Sequence, residues 1–280
     1  MWKSPKLLGT VLFLVCLTGI GIAQRTAREL PSIYNETPVW TNPPAFQKDV
    51  FTFVRLKYSV DGKYGFGHSD PERRWRIDSP DSDLDLSFRL QQMTSMKVNP
   101  DGLFLEITDK ELFNYPFAYI VEPGRLTFTD EEIVTLRKYL LNGGFLLLDD
   151  FWGETEYSNF HKELKKVFPN REPIELPFEH PIFHCVFELD KKPQIPGIQH
   201  ALRNRGTDIT WEVRRGENTR EVHYQGIFDD KGRLMVLLCH NTDLGDAWER
   251  EGQDQYFFRE FAEKYGYPLG INIIFYAMTH

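Results

Sequence analysis

The chain has 280 residues, 41% hydrophobic and 26% charged, a balance that excludes a wholly disordered or collagen-like protein. This length can bury a large core without disulfide or metal staples. The formal net charge of −8, from 33 basic and 41 acidic residues, excludes holding nucleic acid by overall charge, and no nucleic-acid partner is expected.

At the N-terminus, Lys3 and Lys6 precede an uncharged run from Leu7 to Ala23. A short basic segment, an apolar stretch and small residues at its end (Gly21, Ala23) are the parts of a secretory signal peptide cleaved before Gln24. The same run is just long enough to span a bilayer if retained. The expected location is therefore exported, periplasmic or cell-surface, with membrane attachment only if the leader stays. Leu14 and Val15 before Cys16 are too large for a lipoprotein signal. An oxidising compartment would permit a disulfide between Cys185 and Cys239, while their apolar surroundings favour buried free thiols. Residues 24–48 carry Pro31, Pro38, Pro43 and Pro44 without periodicity and read as an extended arm on the domain or a spacer. Asn35-Glu36-Thr37 is a glycosylation sequon, relevant only in a eukaryotic secretory pathway.

The α/β domain spans residues 49–280. Residues 50–58, rich in β-branched and aromatic side chains, predict a strand, followed by a loop with glycines at 62, 65 and 67. Ser82 with Asp85 predicts a capping box opening a helix whose apolar stripe is Leu86, Leu90 and Met93. Leu103 to Ile107 predicts a short strand, and Phe117 to Val121 one buried on both faces. A second capping box, Thr129 with Glu132, opens a helix that stops at Asn142-Gly143-Gly144. Phe145 to Leu148 predicts a strand closed by Asp149-Asp150, and a helix from about Glu156 to Val167 follows. This alternation predicts a three-layer, flavodoxin-like α/β fold with a mostly parallel sheet. Beyond Pro169 the loose alternation at 211–214 and 221–228, the turn Asp229-Asp230-Lys231-Gly232 and the run Leu234 to Cys239 predict added antiparallel strands. Helices are expected over Gln253 to Tyr265 and Gly270 to Met278.

Ligands of open α/β sheets sit beyond the carboxyl ends of the strands. That rule gathers Ser59 to Asp81, Glu122 to Arg125, Asp149 to Gly153, and His240 to Arg250 on one rim. The expected catalytic candidates are Asp149, Asp150 and His240. The expected ligand-binding candidates are Asp81, Arg125, Trp152, Asn241, Asp243, Trp248 and Arg250, with Asp78, Glu122 and Asp246 on the same rim. Tryptophan would stack on an apolar ligand face and the aspartates would accept from hydroxyls. Adjacent strand residues face opposite ways, so one of Asp149 and Asp150 should face the cleft while the other caps the turn or pairs with Arg125. Paired acids suit acid/base chemistry or a hard divalent cation; no cofactor is required. A solvated acidic surface with structural ion pairs is the alternative. The strand-to-helix turn carries Asp150 where a nucleophile elbow needs Ser or Cys, and Leu148 and Trp152 are too large to flank one. Cys239 and His240 diverge as strand neighbours and make no dyad. His180 and His184 could join His240 on a metal, against a reading in which His180 starts a turn and His184 packs in the sheet. The glycines at 124, 143 and 144 lack phosphate-loop spacing.

Several strings carry a resemblance: Arg89-Leu90-Gln91-Gln92-Met93-Thr94-Ser95, Val121-Glu122-Pro123-Gly124, Asp149-Asp150-Phe151-Trp152-Gly153, His180-Pro181-Ile182-Phe183-His184 and Cys239-His240-Asn241-Thr242-Asp243-Leu244-Gly245-Asp246. From about Phe51 to His280 the chain resembles the bacterial domain-of-unknown-function family 4159. The resemblance implies a class I glutamine amidotransferase-like fold, with kinship to ThuA-like proteins through Gly143-Gly144-Phe145, His180-Pro181-Ile182 and Gly232-Arg233-Leu234. Amidotransferases of that fold use a Cys–His–Glu triad, and no residue here matches the cysteine, so glutaminase activity is not implied. The expected role is binding of a small polar ligand, a carbohydrate or cell-envelope fragment. The alternatives are a metal-assisted hydrolase using Asp149 or Asp150, and an assembly module whose partner is an envelope protein.

Overall fold

The computed structural model describes residues 26–34, 36–46, 49–60 and 74–280. The leader, Asn35 of the sequon and the glycines at 62, 65 and 67 lie outside the described residues. In chain order the strands are β1 (Val54–Lys57), β2 (Ser59–Val60), β3 (Leu103–Glu106), β4 (Phe117–Val121), β5 (Leu126–Thr127), β6 (Phe145–Phe151), β7 (Ile174–Glu175), β8 (His223–Phe228) and β9 (Leu234–His240). The helices are α1 (Asp81–Met93), α2 (Asp130–Leu141), α3 (Gly153–Val167), α4 (Ile198–Arg203), α5 (Leu244–Glu249), α6 (Gln255–Phe257) and α7 (Tyr267–Thr279), the last two joined by a π-helical stretch, Phe258–Gly266.

Among the described residues, seven strands form one sheet in the order β3-β1-β4-β6-β9-β8-β7. The pairs among β3, β1, β4, β6 and β9 are parallel, and β8 and β7 add antiparallel at one edge. The five parallel strands, taken in chain order, lie as 2-1-3-4-5, the flavodoxin-like order whose direction of winding reverses between the first and third of them. Here that switch falls between β1 and β4.

Period-two alternation sends the strand side chains to two cores. Phe117, Tyr119, Leu147, Leu237 and Cys239, with Phe53 just before β1, face α1, α5 and α7. Leu56, Ala118, Ile120, Leu148 and Leu238 face α2 and α3. All five residues of β4 are buried, as a central parallel strand requires. The Thr129–Glu132 capping box forms and starts α2. The one predicted at Ser82 does not: Pro80 precedes α1, and the Ser82 hydroxyl turns inward to Arg55 and Asp83. Met93, at the last turn of α1, is 46% exposed rather than part of the stripe. Residues 211–214 form no strand. The thiols are unbonded; Cys239 is buried as expected, whereas Cys185 is exposed.

Residues 26–34 and 36–46 run along the domain. The Asp81 carboxylate accepts from the amides of Ile33 (2.8 Å) and Tyr34 (3.0 Å), the Thr37 hydroxyl donates to Asp85 (2.6 Å), and the Trp40 indole donates to Val98 O (2.8 Å). No helix among the described residues is long and apolar enough to cross a membrane.

Candidate functional site

Four non-glycine residues among those described have left-handed backbone: Asp78 (φ 63°), Glu122 (φ 47°), Asp150 (φ 56°) and Asn241 (φ 59°). All four lie on the carboxyl rim of the parallel strands. Asp78 precedes α1, Glu122 follows β4, Asp150 is near the end of β6, and Asn241 follows β9. Such backbone costs about 1–3 kcal/mol per residue and persists where the surroundings over-determine it, typically at sites.

The β6 residue has an identifiable local cause. Between β6 and β9 the register runs Leu148↔Leu238 and then Phe151↔His240, so β6 carries one extra residue there. This is a β-bulge, a device common beside active sites. It breaks the alternation at Asp150, whose backbone is left-handed, while Asp149 keeps its place on the Leu147 side. Asp149 points into the α1/α5 side, where its Oδ2 accepts from the amides of Leu244 (2.8 Å) and Gly245 (2.9 Å) and from the Tyr119 hydroxyl (3.3 Å). Burial pushes its carboxyl up to about 7 against those hydrogen bonds. Asp150 faces the crevice and accepts from the Trp152 indole (2.9 Å).

A buried cation holds the next wall in place. Arg55, on β1, is fully buried and binds Asp83 through Nε (3.1 and 3.0 Å) and Nη2 (2.5 Å). It also donates to Ile77 O (2.9 Å), Trp75 O (3.2 Å) and the Ser82 hydroxyl (2.9 Å). The stretch 75–83 is thereby tied to the sheet, and Asp78 rides on it. Gly245 leaves room for that aspartate: a Cβ there would strike Asp78 Oδ2.

The result is a crowd of carboxylates at the mouth of the sheet. One oxygen each of Asp78, Asp150 and Asp243 lie within 4.8 Å of one another, as do those of Asp78, Asp246 and Glu249. Either group has the donors for a hard cation. Asp78 is pushed well up by burial and then by Asp246, Asp150 by burial and then by Glu122, and Asp243 by burial and then by Asp150. Glu122, bound to Arg74 (2.7 Å), is raised by burial to about 7, and Glu249 by burial and Asp78 to about 9.

The structure gathers Asp150 and Asp243 in this crevice, with Asp149 just behind. The other expected residues are engaged elsewhere. His240 lies on the opposite face, between the rings of Phe151 (4.9 Å) and Tyr157 (5.0 Å), with Nε2 on Gly153 O (3.1 Å). Trp248 is core and donates to Gly266 O (2.9 Å); Trp152 is buried too, so neither indole presents a stacking face. Asn241 braces β6 to β9, accepting from Gly153 N (2.8 Å) and donating to Glu221 O (2.7 Å). Asp81 anchors the arm. Arg250 binds Asp246 (2.7 Å), lies 2.7 Å from Glu249 and covers the Tyr34 ring. Arg125 lines a separate cavity of about 190 Å³ with Gly124, Trp152, Glu156 and Arg214. Among the histidines, His180 caps the short turn at Pro181–Phe183 as expected, while His184 bonds Phe178 O (2.7 Å) and Glu188 (2.6 Å) outside the sheet.

Arg55, Asp83, Tyr119 and Glu249 escaped sequence reasoning. The signal for Arg55 was present: a lone arginine inside an apolar parallel strand must be paired.

The Domain of unknown function (DUF4159) family matches residues 52–278. The chain belongs to the DUF4159 family. The match covers the whole parallel sheet, both helical layers and every rim carboxylate of this DUF4159 domain. No curated protein matches the chain.

Proposed function

We propose that this DUF4159 domain binds a small polar ligand, a carbohydrate or cell-envelope fragment, in the carboxyl-rim crevice after export. The observation that carries the reading is the convergence of left-handed Asp78, Glu122 and Asp150 with Asp243 on one mouth, at the winding switch where such sheets take ligands. Recognition is by hydrogen bonding to carboxyl oxygens, because both rim tryptophans are buried and committed. We read the domain as a distant member of the class I amidotransferase-like fold. The strand order supports that reading, and Asp150 stands at the turn where those enzymes carry cysteine, so the chemistry would not be covalent.

The test is calorimetry of the chain against amino sugars, N-acetylglucosamine oligomers and peptidoglycan fragments. Binding that weakens about tenfold or more in Asp150→Asn, with an unchanged circular dichroism spectrum, supports the reading; one lost charged hydrogen bond of about 1.5–3 kcal/mol has that effect. No binding across the panel, with an envelope protein co-purifying, overturns it in favour of an assembly module. Hydrolysis of a bound fragment, abolished in Asp150→Asn while binding persists, would favour the hydrolase.

A further inference from the structure

We propose that Asp78, Asp150 and Asp243 together hold one hard divalent cation, through which the crevice meets the hydroxyls of its ligand. The proposal rests on the polar-ligand reading of the same crevice and adds a metal to it.

The three carboxylates each bring an oxygen within 4.8 Å of the other two. Two oxygens on one calcium-like ion, each at about 2.3–2.6 Å, can lie up to about 5 Å apart, so a single ion reaches all three. Each carboxylate is aimed by a contact that leaves an oxygen over. Asp150 accepts the Trp152 indole on Oδ1 (2.9 Å), and Asp243 accepts the Asp246 amide on Oδ1 (2.8 Å). Asp78 is held by its left-handed backbone and by the Arg55-bound stretch around it.

A second, independent observation is Asp78 itself. It is 9% exposed, and its Oδ2 is buried with no hydrogen-bond partner among the described residues. An orphaned carboxylate oxygen inside a protein costs several kcal/mol unless something positive meets it. The nearby cations are already committed: Arg55 to Asp83, and Arg250 to Asp246 and Glu249. Those contacts also separate the two carboxylate groups. Asp246 and Glu249 share Arg250, whereas Asp150 and Asp243 have no arginine or lysine within ion-pair distance among the described residues. The ion therefore belongs with Asp150 and Asp243. Three carboxylates leave open coordination positions on such an ion for water or for ligand hydroxyls.

The experiment uses the full chain, stripped with EDTA and titrated separately with CaCl2, MnCl2 and MgCl2 by calorimetry. The expected result is one ion per chain and a rise in melting temperature with at least one of the three. Affinity should fall at least about tenfold in Asp78→Asn and in Asp243→Asn, and stay within about twofold in Glu249→Gln. Tb3+ luminescence, sensitised by Trp152 beside Asp150, provides a second readout should either variant fold poorly: sensitised emission should appear when the stripped wild-type chain is titrated with Tb3+ and be displaced by excess CaCl2 or MnCl2, and its absence overturns the proposal. No ion bound at millimolar concentration, or binding that follows Glu249→Gln and ignores Asp243→Asn, overturns the proposal. Polar-ligand binding that persists undiminished in EDTA overturns the cation alone and leaves the ligand reading standing. Cation binding without any polar ligand does the reverse.

Discussion

Replacing Arg55 by Met removes the cation that, among the described residues, pairs with Asp83 across a fully buried ion pair. Burial works against the guanidinium charge, but Asp83 more than restores it, and the Arg55 pKa ends raised. Methionine keeps most of the volume, so the cost is electrostatic. Asp83 would lose three contacts of 2.5–3.1 Å and stay buried, while Trp75 O and Ile77 O would lose their donors. Breaking a buried pair from one side costs about 3–5 kcal/mol. In a domain of this size each kcal/mol moves the melting temperature by about 2–4 °C, so a fall of about 6–20 °C is expected. Urea melts of Arg55→Met, Asp83→Leu and the double variant make the assay. The double variant should recover more than half of the single loss, because an apolar pair replaces an ionic one nearly neutrally. Strict additivity of the two single effects, or a loss below about 1 kcal/mol, would refute the claim that this pair is a coupled unit holding the Asp78 wall.

Two further predictions concern residues outside the crevice. Burial pushes the His240 imidazole down to about 4 from an ordinary 6.5, so the folded protein keeps it neutral. Its contribution to stability is whole above about pH 6.5 and is lost as pH falls towards about 4, amounting to about 3.5 kcal/mol at about 1.4 kcal/mol per pH unit. The difference between wild type and His240→Phe in urea melts at pH 7 and pH 4.5 should shrink accordingly; a difference independent of pH would contradict it. Asp81→Ala removes the carboxylate that receives the Ile33 and Tyr34 amides. Loss of two charge-assisted bonds should raise the rate of trypsin cleavage after Arg28 about tenfold or more, and an unchanged rate would show that the arm is held by other contacts.

Much of the architecture was legible because it rests on short-range rules. β4 could be read from Phe117 to Val121 because a strand covered on both faces has no polar position. α2 could be read because Thr129 and Glu132 satisfy its first amides. The topology rule places Asp150 and Asp243 on one rim, and their carboxylates do lie together there. Where side-chain placement departs from expectation, long-range partners are the reason. His240 and Trp248 were expected at the mouth because they follow strand ends in sequence, but strand alternation carries His240 to the far face and α5 turns Trp248 into the core.

The chain's own pattern of apolar, capping and turn residues determined the layers, the strand sequence and the edge on which acidic loops emerge, because hydrophobic periodicity and helix capping act within a few residues. Only the tertiary structure decided which acids meet. A single extra residue in β6 redirects Asp150, and the buried Arg55 ties down the stretch that carries Asp78. Both effects depend on groups tens of residues apart, whose positions are settled when the sheet closes and the carboxylates must find donors, protons or a cation.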